Sequence, residues 1–433
     1  MAGSATTDMP TITGAETRLD AAIRNRPFPF YRALREQRPV YHDPGIDVYL
    51  VTRYEDVVRV LQDDVAFSLE HGYQDRYANG FIDEFAAIME RDGGGFIRDL
   101  ALDPPAHTRV RRLTQAAFTA HRVHDLQPRI RQIVVDLIES VADRGEAEAM
   151  TDIAGPLTAQ FICEQLGFEW SEVGTAKVAV WTKAVLDQIG RMQTREAMLE
   201  NARELCDLQN YIIRYIDDRT HNPREDMISD IVHARLDDEE NPRLSRAEQI
   251  ATIRAFVIAG NDTTASAIVN LLLVLATTPG LADELHAQVD DDRVMTRFVE
   301  EVLRIEPPVH GLFRTAMQDV EIGGTRVPRG AQLCVLYASA NDDERHFPDP
   351  RTFDYTRPNL GTHVTFGNGI HRCVGLALAR MEIKVAAQEI IRRLDRIELT
   401  IPVEELAYLP TLATQTLERL PLRFTRRSGA TGR

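Results

Sequence analysis

Apolar residues recur every three or four positions through YEDVVRVLQ (54–62), RIRQIVVDLIESVA (129–142) and ELCDLQNYIIRYI (204–216). That is the period of an amphipathic helix, and it predicts a helical body over 54–305. A second helical pattern, LALARMEIKVAAQEIIRRL, occupies 374–394 with two preceding residues. Elsewhere the period falls to two. PVYHDPGIDVYLV (39–51) reads as a hairpin around Asp43-Pro44-Gly45, and DVEIGGTRVPRGAQLCVLY (319–337) as strands around a Gly323-Gly324 turn. IELTI (397–401) and PLRFT (421–425) add strand character to a third β-rich part, 397–425. Residues 68–101 are mixed and glycine-bearing, the pattern of a long loop with short helices. Residues 1–25 are expected to be flexible. The fold class is therefore mainly α with a minor β part, α+β.

The longest predicted helix is SRAEQIATIRAFVIAGNDTTASAIVNLLLVLATTPG. Ser245 and Glu248 form a capping-box signature at its start, and Pro279-Gly280 ends it. About 32 residues at 1.5 Å each would extend roughly 48 Å. Its middle, AGNDTT (259–264), contains five residues that weaken a helix.

The 433 residues are 44% hydrophobic and 27% charged, with a net charge of −16. That charge argues against a general nucleic-acid binder or an anionic-membrane binder. Lysine occurs only at 177, 183 and 384. A length prior of about 150 residues per domain would give roughly three domains. No Gly-, Pro- or Ser-rich linker divides the middle, so one domain over 1–433 is expected. The start has neither the basic nor the apolar region of a signal peptide, and the apolar run AIVNLLLVLA falls short of the ~20 residues that span a bilayer. Four dispersed cysteines form no disulfide framework. A cytoplasmic protein with reduced thiols is expected.

One cysteine stands apart. FGNGIHRCVG (366–375) places Cys373 among three glycines at the mouth of a helix, beside Arg372. A thiolate is the metal-binding form of cysteine, and a helix N-terminus with neighbouring cations lowers a thiol's pKa. The pattern F-G-x-G-x-H-x-C-x-G resembles the haem-binding loop of the cytochrome P450 family. The resemblance runs from about residue 28 to the C-terminus and implies that family's fold, with the long helix crossing above a haem. It implies Cys373 as axial ligand of the iron in haem b, Phe366 beside the sulfur, and Gly367 and Gly375 permitting close approach. EEVLRIEPP and DPRTFDYTRP resemble the family's buried ion pair, implying Glu301, Arg304 and Arg357. AGNDTT resembles its acid–alcohol pair, implying Asp262 and Thr263 in proton delivery, with small Ala259 and Gly260 leaving room for O₂. In DPPAHTRVRR, His107 and Arg111 share a helix face at i,i+4; with Arg314 and His371 they are implied as propionate ligands. ANDDER (340–345) departs from the family's A-N-R-D-P, a change expected to affect a surface turn.

By the same analogy, pocket walls would come from 68–101, 160–195, Phe256, Val257, Ala259, Gly260, 309–313 (Val309 and Leu312 included) and 409–412 (Leu412 included). The implied activity is an O₂-dependent monooxygenase that hydroxylates an apolar small molecule of the terpenoid, steroid or aromatic class. Its electrons would come from a ferredoxin, itself reduced by a ferredoxin reductase and docking near Arg109, Arg112 and Arg372. A monomer is expected. An H₂O₂-driven peroxygenase, a non-catalytic haem-binding ligand sensor and a haem-free helical binding protein remain as alternatives.

Overall fold

The computed structural model describes residues 9–74, 82–115, 120–237 and 240–428. Residues 1–8 of the expected flexible start, and 75–81 of the expected loop 68–101, lie outside the described residues. The helix predicted at 54–62 spans Tyr54–Gln62, and the patterns at 129–142 and 204–216 fall within Gln127–Ala142 and Arg195–His221.

The longest helix, Arg246–Thr277, runs for 32 residues from a complete Ser245–Glu248 capping box. By length and composition it could cross a membrane, yet 78% of its most apolar window is buried within the protein. Its second half packs with the helices Asp292–Ile305 and Leu376–Arg393, and its first half with Gly155–Leu166, Trp170–Gly190 and Arg195–His221. A helix apolar on every side is what such central placement requires. Asn261 is an exception that is fully used. Its Oδ1 accepts from the Thr158 hydroxyl at 2.8 Å and its Nδ2 donates to Thr182 Oγ1 at 3.1 Å, clasping three helices together.

The larger sheet has five strands in the order Val40–Asp43, Val48–Val51, Gln332–Val335, Leu312–Ala316, Phe67–Ser68. The N-terminal hairpin thus joins the C-terminal half through a parallel pairing, Tyr49 opposite Leu333. The Gly323-Gly324 turn is present, both residues having positive φ, between Val320–Ile322 and Thr325–Val327. A second sheet orders Glu146–Glu148, Pro421–Arg426 and Leu394–Leu399.

Several expectations need correction. The span 54–305 is mostly helical as expected, but it also holds two short strands the pattern does not predict, Phe67–Ser68 and Glu146–Glu148. Glu-Ala-Glu has no alternating apolar signal, and it becomes a strand because Pro421–Arg426 offers it a partner edge. Residues 9–25 are ordered: Ile12 and Arg18 are 5% and 3% exposed, and Ala21–Asn25 is helical. The hairpin turn needs Gly45 for that reason, since a Cβ there would collide with the Thr17 hydroxyl. Finally, 340–345 reaches the surface only at its end, at Glu344 and Arg345. Asn341, Asp342 and Asp343 are at most 4% exposed, with Asp342 paired to buried Arg35 at 2.9 Å.

Candidate active site

The cysteine loop is shaped by close approach. Gly367 and Gly369 have φ of 71° and 69°, a region that favours glycine. A side chain on Gly369 would strike the Leu61 carbonyl, so the loop is pressed against the end of the 54–62 helix. The Cys373 N–H donates to the Phe366 carbonyl at 2.9 Å, closing the loop just before Leu376–Arg393 begins.

Cys373 is accessible, unlike the three buried cysteines, and its accessible surface faces a cavity of about 280 Å³. The cysteine loop supplies Phe366, Gly367, His371, Cys373 and Gly375 to that cavity; the central helix supplies Phe256, Ala259, Gly260 and Thr263. Val309 and Leu312 also line it. Two residues expected in the walls do not. Val257 is fully buried between helices, and Leu412 packs with Phe30, Tyr31 and Phe313. Side-chain direction decides both, since a helix or turn at a cavity presents only one face. Sequence reasoning missed Thr264, Ala267, Thr365, Tyr337 and the face Leu378, Ala379, Glu382 and Ile383. The last four recur at helical spacing after Cys373, a signal the sequence does carry.

The electrostatics of the sulfur differ from the simple expectation. Burial pushes the Cys373 thiol up; the Gly375 N–H bond to sulfur and the charges of Arg111, Arg380 and Arg372 oppose this without overcoming it. Helix-end and cationic stabilisation therefore do not produce the thiolate in the chain alone. A coordinating metal ion deprotonates such a thiol outright.

Around the loop lies a set of donors with little to receive them. The rings of His107 and His371 are 4.3 Å apart, and His107 Nδ1 and His371 Nε2 are buried without partners. Burial first, then His107 and Arg314, pushes His371 down to about 3; burial and Arg111 lower His107. Both rings are neutral at pH 7. Arg111 Nη2 donates to the Arg372 carbonyl at 2.8 Å, and Arg314, 3% exposed, donates to the Phe313 carbonyl at 2.8 Å. Two guanidinium groups and two orphaned imidazole nitrogens suit an anionic ligand. With a lone sulfur, glycine-lined walls and a largely apolar cavity, these residues fit a haem and its propionates.

The acid and the alcohol occupy different surroundings. Thr263 lines the cavity and donates from Oγ1 to the Ala259 carbonyl at 2.8 Å, leaving its lone pairs available. Asp262 does not line the cavity. Burial raises its carboxyl to about 6 against a lowering bond from Thr416, and Oδ2 is buried without a partner. Gly260 serves packing as well as space, because a Cβ there would sit 3.0 Å from Ile162 Cδ1.

Behind the loop, Glu301 accepts from Arg304 at 2.7 and 2.8 Å and from Arg357 Nε at 3.1 Å, all three buried. Arg304 also donates to the Asn341 carbonyl at 2.8 Å; Asn341 Nδ2 reaches Thr365 Oγ1 at 2.8 Å, one residue before Phe366. The neighbouring Glu300, which the sequence reading left unassigned, pairs with Arg380 at 2.6 and 2.7 Å and with His363 at 3.0 Å. The Arg380 guanidinium in turn lies 4.7 Å from the Phe366 ring centre. Glu382 is buried on the cavity wall with an unpartnered Oε2, and burial drives its carboxyl far above the carboxylate range.

The sequence model of the family described as cytochrome P450 matches residues 181–402. Cytochrome P450 107B1 of Saccharopolyspora erythraea is 34% identical over 88% of this chain and 90% of its own. The 6-deoxyerythronolide B hydroxylase of the same organism is 31% identical over 91% and 95%. The solved structure of CYP109Q5 from Chondromyces apiculatus superposes with a TM-score of 0.83 at 30% identity, covering 96% of this chain and 99% of that one. A cavity walled by a glycine-flanked cysteine and a long apolar helix, on a fold shared across the chain's length with these relatives, settles the assignment: this chain belongs to the cytochrome P450 family and is a monooxygenase.

Proposed function

We propose that this enzyme, a cytoplasmic monomer, hydroxylates an apolar small molecule of the terpenoid, steroid or aromatic class. It would use haem b held by the Cys373 sulfur, with electrons from a ferredoxin that a ferredoxin reductase reduces. The observation that carries this reading is that Cys373 and Thr263, from two distant parts of the chain, line one mainly apolar cavity. Its relatives include an enzyme named for hydroxylating 6-deoxyerythronolide B and one named for epoxidising cyclomarin C. Both names give oxidation of a single organic compound, which supports an organic substrate here.

Bound through a thiolate, haem supplies the reductive activation of O₂ that oxygen insertion needs. The chain's own residues do the rest. The Gly375 N–H and three arginines favour negative charge on sulfur. His107, Arg111, Arg314 and His371 would hold the propionates. Thr263 can accept a hydrogen bond at the cavity wall, while Asp262, titrating near 6, can give and take a proton close to neutrality. Thr416 and Ser266, 3.3 Å apart, extend the hydroxyl chain from Asp262. Phe256, Val309 and Leu312 exclude water and orient an apolar substrate.

The haem-loaded protein, reduced under carbon monoxide, should show the absorption of a thiolate-bound complex, and Cys373→His should lose it. Survival of that band in the variant would place the ligand elsewhere. Spectral titration with apolar compounds would then identify the substrate class. Product formed from H₂O₂ alone at the ferredoxin-supported rate would assign a peroxygenase instead.

A further inference from the structure

Leu412 sends no side chain into the cavity, yet its turn holds a segment that lines it. The Ala413 carbonyl accepts from the N–H groups of His310 and Gly311 at 2.8 and 3.2 Å. Thr414 bridges Val309, and the Gln415 N–H donates to the Pro308 carbonyl at 2.9 Å. Pro308 and Val309 are cavity residues. The 411–415 turn is therefore the backing of one cavity wall.

That backing is gripped from the N-terminal segment. Arg18, 3% exposed, donates from Nη1 to the Leu412 carbonyl at 2.7 Å, with Cys334 Sγ at 3.7 Å. The Gln415 side chain donates to the Arg24 carbonyl at 3.1 Å. Arg18 is itself placed by its backbone N–H, which donates to buried Asp43 Oδ2 at 2.8 Å. On the far side of the turn, the Leu412 N–H donates to the Gly190 carbonyl at 3.3 Å, at the end of the helix Trp170–Gly190. A Cβ on Gly190 would sit 2.7 Å from Thr411 Oγ1, so turn and helix end are in close contact.

Desolvating a guanidinium is costly, and merely tying down a chain terminus could be done by surface contacts without that cost. A planar guanidinium on a turn carbonyl instead fixes both distance and direction. We propose that Arg18 is a specificity-determining positioning residue: through Leu412 it sets where the Pro308–Val309 wall stands, and so which sizes of apolar ligand the cavity accepts. This rests on the cavity being the substrate pocket of a haem enzyme. It adds that the segment carrying Arg18 and Arg24 forms part of the specificity apparatus without lining the cavity.

The test is spectral titration of the full-length, haem-loaded protein with imidazole and with 4-phenylimidazole, which differ in the wall they reach. Arg18→Met should leave haem content and imidazole affinity within about twofold of the parent while changing 4-phenylimidazole affinity by about tenfold, the scale of a pocket misfit of one or two methylenes. Arg18→Lys, which can bond Leu412 only by drawing the turn inward, should change the same ratio by about threefold. It serves alone if the methionine variant does not accumulate. A purely structural arginine would lower the melting temperature and leave the ratio unmoved, and an unmoved ratio in the available variants overturns the proposal. The carbon monoxide spectrum of the parent reports separately on the haem assignment.

Discussion

At the scale of single residues, neighbours in sequence carry unlike chemistry because their side chains leave the backbone in different directions. Thr263 faces the cavity; Asp262, one position earlier, is turned into a buried site near Thr416. Asp262 has a raised pKa in the folded state, so the folded chain holds a proton that the unfolded chain releases above its ordinary value of 3.8. Stability contributed by that proton is complete at low pH and falls as pH rises from 3.8 to about 6. Asp262→Asn removes this loss. The variant should be more stable than the parent at pH 8 by about 3 kcal/mol, a difference of roughly two pKa units, and should lose most of that advantage at pH 4. Urea melts at the two pH values check this; an equal advantage at both would remove the titration as its source. The acid is thus held at a cost to stability, which is expected where a group is kept ready to exchange protons near neutrality.

At the scale of elements, the site depends on what stands behind it. Glu300 and Glu301 follow one another on Asp292–Ile305 and serve different neighbours. Glu301 binds the segment 348–357 through Arg304 and Arg357. Glu300, which burial would push up, is held instead at about 2 by His363 and Arg380. Both networks end on residues around Phe366. Removing one partner of a buried pair leaves the other charge uncompensated, at about 3–5 kcal/mol. Glu301→Gln should therefore cost stability of that order and lower haem retention, with the loss greatest in hydrogen exchange at 341–366. Uniform loss of protection across the chain would contradict a role centred on this segment.

At the scale of the whole molecule, a net charge of −16 leaves local positive charge as the feature by which the proposed ferredoxin, if acidic, would be recognised. Arg109, expected at that surface, is committed elsewhere: it pairs with Glu248 and donates to the Arg243 carbonyl at 3.1 Å. Arg372 is exposed at the tip of the cysteine loop, beside Ile370, which is 39% exposed. A charge with an apolar neighbour suits a transient docking surface, where complementary charge acts mainly on encounter. Arg372→Glu should raise the ferredoxin concentration for half-maximal turnover by about tenfold at low salt, less at high salt where charges are screened. A fall in kcat at an unchanged half-maximal concentration would assign Arg372 to the sulfur rather than to docking.

Periodicity, glycine spacing and caps are local properties, so they are readable from the chain itself. They determined the 246–277 helix, the 54–62 helix, the two-glycine turn and the cysteine loop with its following helix. Three-dimensional neighbours decided the rest. Glu146–Glu148 became a strand because an edge nearly 275 residues away was free to pair with it. Asn341, Asp342 and Asp343 look like surface residues, yet arginines and backbone groups from other segments bond to them in the interior. Val257 and Leu412 turned from the cavity, Glu382 turned toward it, and Arg18 was drawn inward. Burial of a polar or charged side chain depends on partners remote in sequence, and that is information only the folded chain contains.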